Sequence, residues 1–133
     1  MQNLLYALIQ IAHNFGAVAI VGVSAYGAFY ASGRFKRLLA ATQVCAWLIQ
    51  GLSGGLFGLT TFYYYHHLPD IYGVAVAALV IKVTCVIFGF SLGILYLFKC
   101  YKISPFLDVI FWRLTFSLGL IALSSAAFLR WFS

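Results

Sequence analysis

The sequence predicts an all-α protein that crosses a bilayer four times as an up-down-up-down helix bundle, with both termini on the outer, periplasmic side. Composition is the first ground: 65% of the 133 residues are hydrophobic and only 8% are charged, whereas a soluble domain carries roughly 25% charged residues. The second is that the apolar residues gather into four runs, about 4–31, 38–65, 71–98 and 106–131, each exceeding the ~18 residues expected of a spanning helix. The third is punctuation, because both prolines and five of the eight basic residues fall in the short stretches between the runs. Together the runs make residues 1–133 a single transmembrane domain, and chemistry is expected inside the bundle or at its rims.

Inside hydrocarbon every backbone N–H and C=O has to be satisfied within the segment, so each run is expected to be helical. The first begins after Met-Gln-Asn, which lacks the basic region of a secretory leader, and is expected to be retained. Ser32-Gly33 offers it a glycine C-cap. The second is rich in glycine, at Gly51, Gly54, Gly55 and Gly58. Pro69-Asp70 breaks the chain and offers an N-cap to the third, and Ser104-Pro105 places a cap and a first-turn proline before the fourth. Connections this short force successive helices to run antiparallel.

Charge sets the expected direction. Arg34, Lys36 and Arg37 occupy the first connection and Lys99 and Lys102 the third, while the second holds His66, His67 and Asp70 but no Lys or Arg. Basic loops face the cytoplasm, which places both termini and the second connection outside; Arg130 is the one dissenting charge. Tyr63, Tyr64, Tyr65, Tyr72 and Trp131 form the aromatic belt expected at the outer interface. The net charge of +6 is a topological signal and does not point to nucleic acid. Asp108 is expected to help neutralise Arg113 near the start of the fourth helix. The lipid bilayer is the first expected partner, and a bacterial inner membrane the expected location.

Most polar side chains in the runs are inexpensive. Ser24, Thr84, Ser124 and Ser125 can bond back to the preceding helical turn. Cys45, Cys85 and Cys100 lack metal-binding spacing and read as apolar filler. The Gly51/Gly55, Gly54/Gly58 and Gly89/Gly93 pairs suit close helix packing, or alternatively the approach of a flat macrocycle. His66 and His67 are weak metal candidates, since adjacent residues point in different directions.

Lys82 is costly, at about 2.5–3.5 kcal/mol for a lysine at a helix centre, and His13, with Asn14 and Gln10, is unusual at its depth. At helical rise His13 lies roughly 14 Å from the outer start of its helix, and Lys82 roughly 16 Å. The two therefore share a level, which in the second helix corresponds to Leu52–Gly55; Gln50 and Gln43 continue a polar stripe with Trp47 between them. An ionisable residue inside the membrane marks a functional site by default. A neutral imidazole suits a haem iron, and a four-helix bundle is a common container for haem. The expected site is thus haem on His13, surrounded by Lys82, Asn14, Gln10, Gln50 and Gly54, with Lys82 a second ligand, a propionate partner or a proton-handling group. The corresponding function is electron transfer, alone or as a small subunit of a membrane redox complex. A cofactor-free structural or assembly subunit is the alternative.

Ile11-Ala-His13-Asn-Phe-Gly-Ala-Val in the first helix and Leu79-Val-Ile-Lys82-Val in the third, with the glycine-rich helix between them, resemble the CopD-like membrane proteins. That group includes the copper-resistance D domain and the HemJ-type protoporphyrinogen oxidases. The resemblance implies a four-helix membrane fold, haem b as cofactor and importance for His13 and Lys82. It adds two further expectations, a porphyrinogen oxidase with Lys82 handling protons and, more remotely, copper handling through His66, His67 and Asp70.

Overall fold

In a computed structural model, which describes residues 2–30, 35–67, 71–99 and 104–132, the chain forms four helices: α1 Gln2–Phe29, α2 Lys36–Tyr65, α3 Val74–Lys99 and α4 Pro105–Phe132. All four are long and apolar enough to cross a membrane, and no strand occurs among the described residues. Packing joins α1 to α2, α2 to α3, α3 to α4 and α4 to α1. The bundle is a square with α1 and α3 on one diagonal. Phe15, Val18, Leu59, Phe98 and Trp131 project from its outside, as a lipid-facing surface requires.

Helix ends differ from the expected ones by a few residues, for local reasons. α1 stops at Phe29, with the Tyr30 amide still bonded to the Tyr26 carbonyl; Ser32-Gly33 lies outside the described residues, as do Arg34, Pro69-Asp70, Cys100 and Lys102. α2 ends at His66, whose left-handed backbone (φ 59°) turns its N–H onto the Phe62 carbonyl at 2.9 Å. α3 starts at Val74, three residues later than the apolar run, because Gly73 takes φ +53°, a conformation open to glycine without a Cβ clash. Ser104 caps α4 as expected: its hydroxyl accepts from the Leu107 amide at 3.3 Å, ahead of Pro105 in the first turn.

The interior is built on aromatic rings set into glycine notches. Trp47 and Trp112 are fully buried. Trp47 of α2 lies over Gly89 of α3, and Trp112 of α4 over Gly27 of α1; a Cβ on either glycine would stand 2.3 or 2.2 Å from the ring. Gly93 receives Val44 and Gly119 receives Ile20 in the same manner. The Gly89/Gly93 pair is therefore a packing surface for α2. Gly55 and Gly58 differ, since a Cβ there would meet nothing within 4 Å.

At the basic end Asp108 pairs with Lys36 of α2, accepts from the Tyr96 hydroxyl of α3 at 2.6 Å, and accepts from the Trp112 indole at 3.2 Å. The expected partnership with Arg113 is thus corrected. Five positions along a helix lie on different faces, so Asp108 turns inward to three donors while Arg113 is exposed. Tyr96 also stacks on Phe111, ring centroids 4.1 Å apart. At the other end the Thr61 hydroxyl donates to the Phe57 carbonyl, leaving its oxygen to accept from Tyr6 at 3.0 Å.

These contacts give two expectations for unfolding in detergent. Gly89→Ala overpacks the Trp47 notch and should cost about 1–3 kcal/mol, whereas Gly55→Ala, with open space before it, should leave stability unchanged or slightly raised. Asp108→Ala strands the Lys36 ammonium and two further donors and should cost about 3 kcal/mol or more.

Candidate functional site

Four side chains from three helices meet in mid-bundle. His13 of α1 has both ring nitrogens engaged: Nδ1 lies 2.7 Å from Ser53 Oγ, and Nε2 lies 2.8 Å from Gln50 Nε2 and 2.9 Å from Lys82 Nζ. His13, Gln50 and Ser53 are buried and Lys82 is half-buried. Lys82 reaches across the α1–α3 diagonal to make its contact. Phe57 closes the cluster with an edge-on contact to the imidazole, centroids 5.7 Å apart.

The protonation pattern follows from Ser53. Its one hydroxyl hydrogen is donated to its own helix, chiefly to the Ile49 carbonyl at 2.6 Å, with the Gln50 carbonyl at 3.3 Å. Ser53 Oγ can then only accept from His13, so the hydrogen of the neutral imidazole sits on Nδ1 and Nε2 carries the lone pair. Two N–H groups, those of the Lys82 amine and the Gln50 amide, compete for that lone pair. Meanwhile Gln50 Oε1, equally buried, has no hydrogen-bond partner among the described residues. It points at the backbone of Gly16, where a Cβ would come within 3.0 Å of it.

Charge balance is unusual as well. The chain has only two acidic residues, Asp70 and Asp108. Asp108 is committed to Lys36 at the basic end, and Asp70 lies outside the described residues. Among the described residues, then, Lys82 faces an imidazole, an amide and no carboxylate.

The expected site residues separate into two groups. His13, Lys82 and Gln50 come together, and Gly54 lies beside them, where a Cβ would be 3.7 Å from His13 Cε1. Gln10 and Asn14 do not join. They are exposed and bonded to each other at 2.7 Å, because they stand four residues apart on a face turned away from Ser53 and Lys82. His66 and His67 are exposed at the far end of α2, and no cluster of metal-ligating side chains forms among the described residues. Gln43, fully buried, serves structure: its amide can donate to the Ile20 carbonyl and accept from the Trp47 indole, both at 3.2 Å.

Sequence reasoning missed Ser53, Phe57 and Gly16. Ser53 had a legible signal, since it falls one turn after Gln50 on the same helix face; Gly16 had none, because its role is to leave room for a side chain on another helix. As packed, the cluster does not fit haem. Neither imidazole nitrogen is open to iron, and two grooves of the bundle, one beside Ile81 and Leu120 and one beside Gly51 and Phe90, are not lined by His13. Comparison with known proteins finds no matching family model, curated protein or solved structure, so the reading rests on the chain's own residues.

The Ser53 assignment is directly testable. Ser53→Ala removes the acceptor of Nδ1–H and should cost about 1–3 kcal/mol of stability. The ¹⁵N spectrum of His13, assigned by loss of its signals in His13→Ala, should change from one tautomer to a mixture of two.

Proposed function

We propose that this integral membrane protein handles protons at the bilayer midplane through the His13–Lys82 pair, in an energy-coupling membrane such as the bacterial inner membrane, alone or within a larger complex. One observation carries the reading: an amine donates directly to the lone pair of an imidazole at 2.9 Å, at a depth where an ionisable residue is expensive, with no carboxylate among the described residues to hold the charge. Two bases sharing one proton is the arrangement of a transfer site. In the elementary step an N–H bond of the Lys82 ammonium breaks, an N–H bond forms at His13 Nε2, and the positive charge passes from α3 to α1. Ser53 holds the ring so that Nε2 stays aimed at Lys82, and Phe57 packs against its edge.

The haem b reading is the second proposal. It is favoured by Gly54, where a Cβ would stand 3.7 Å from His13 Cε1, and it requires Lys82 and Gln50 to release Nε2.

One preparation distinguishes the two. In proteoliposomes bearing an imposed potassium diffusion potential and an internal pH dye, the wild-type chain should pass protons. Lys82→Met and His13→Ala should each reduce the signal to that of protein-free vesicles. A wild-type signal equal to empty vesicles, together with a Soret band that His13→Ala removes, would replace the proton reading with the haem one.

A further inference from the structure

We infer that Gln50 is a positioning residue that reverses its carboxamide when His13 takes up a proton, changing from hydrogen-bond donor to acceptor; this rests on the proton-handling reading above. The ground lies in the mismatch already described. Nε2 offers one lone pair to two N–H donors, while Gln50, only 5% exposed, has its buried Oε1 without a partner among the described residues. A buried acceptor left unmade costs about 1–3 kcal/mol, so an arrangement that wastes one needs a reason.

The present orientation of the amide is dictated by the tautomer. With the hydrogen on Nδ1, a Gln50 oxygen turned towards Nε2 would set two lone pairs against each other. The amide nitrogen faces the ring instead, and the oxygen is left at the Gly16 notch. Once Nε2 is protonated the preference inverts. The new N–H would confront the Gln50 N–H₂ at 2.8 Å, and Lys82, having given up its proton, becomes a neutral amine. Rotation about the Cγ–Cδ bond by half a turn then presents Oε1 to the imidazolium and carries the N–H₂ to the notch.

That notch already contains an acceptor. The Ala46 carbonyl lies 3.5 Å from the same point beside Gly16 that Oε1 approaches to 3.0 Å. Ala46 precedes Gln50 by one helical turn, and a carbonyl has a second lone pair beyond its helix bond, so it can receive the turned amide. Gly16 makes room for either end of the carboxamide. The titratable group facing His13 is Lys82 from α3; α2 contributes Gln50, Ser53 and Phe57, and the contacts of α4 with α1 at Gly27 and Gly119 involve no titratable side chain.

Solid-state NMR on the ¹⁵N-labelled full chain in lipid vesicles tests this. At high pH a through-hydrogen-bond coupling should link His13 Nε2 to Gln50 Nε2. As the pH is lowered to the limit of the folded protein, the coupling should disappear in step with the appearance of imidazolium signals. Gln50→Met, close in length but unable to bond, should fold and lose the coupling at every pH. Imidazolium signals with the Gln50 coupling retained would overturn the amide reversal and leave the proton reading standing. A His13 that stays neutral until the protein unfolds would overturn both.

Discussion

Hydrocarbon offers no hydrogen bonds, and this constraint organises the molecule. It makes the four runs helical, because only helices satisfy their own backbones there. The same constraint governs the side chains. Ser24, Thr115 and Ser125 are buried and donate to carbonyls of their own helices. Asp108 draws a donor from each of α2 and α3 and a third from its own helix. What cannot be satisfied locally has to be satisfied between helices, and the central case is His13.

Packing and polarity are two uses of one interior. Along α2 the buried face alternates between them: Gln43, Trp47, Gln50 and Ser53 all point inward, covering about 15 Å at helical rise. Trp47 fixes the α2–α3 distance by filling the Gly89 notch. That spacing in turn determines whether a lysine on α3 can reach an imidazole on α1 across the diagonal. Gly27 and Trp112 set the α1–α4 spacing by the same device. The cluster is therefore positioned by rigid contacts outside it, and a loosened notch should be felt at the Lys82–His13 hydrogen bond before it is felt in the fold.

Much of this was legible before any coordinates. Length and hydropathy suffice for four helices, and counting residues from the outer ends puts His13 and Lys82 at one depth, where they meet at 2.9 Å. Depth is one-dimensional, however, and rotation about a helix axis is not read so readily. Gln10 lies one turn before His13 and reads as sharing its face, yet it turns outward to Asn14. Asp108 stands five residues from Arg113 in sequence, but the deciding factor is its inward turn towards Trp112 and Tyr96. The same blindness hid Ser53 and Gly16, whose parts depend on what the opposite helix presents. The alternative reading of the glycines was resolved unevenly: Gly89 and Gly93 are notches for α2, Gly54 borders the imidazole, and Gly55 and Gly58 remain open.

The acid-poor composition bears on why the group beside Nε2 is a carboxamide. A carboxylate at that place would pair with Lys82, hold both the ammonium and an imidazolium in place, and remove the competition for a shared proton. An aliphatic side chain would leave the protonated ring with no acceptor besides the amine it took the proton from. A hydroxyl can donate and accept, but in a helix it tends to spend its hydrogen on the turn before it, as Ser53 does. A carboxamide carries no charge, presents a donor on one side and an acceptor on the other, and needs only one bond rotation to exchange them. At a midplane where charge is expensive, that makes glutamine a side chain able to face either protonation state of its neighbour, and the proposed reversal accounts for the Oε1 of Gln50 that has no partner among the described residues.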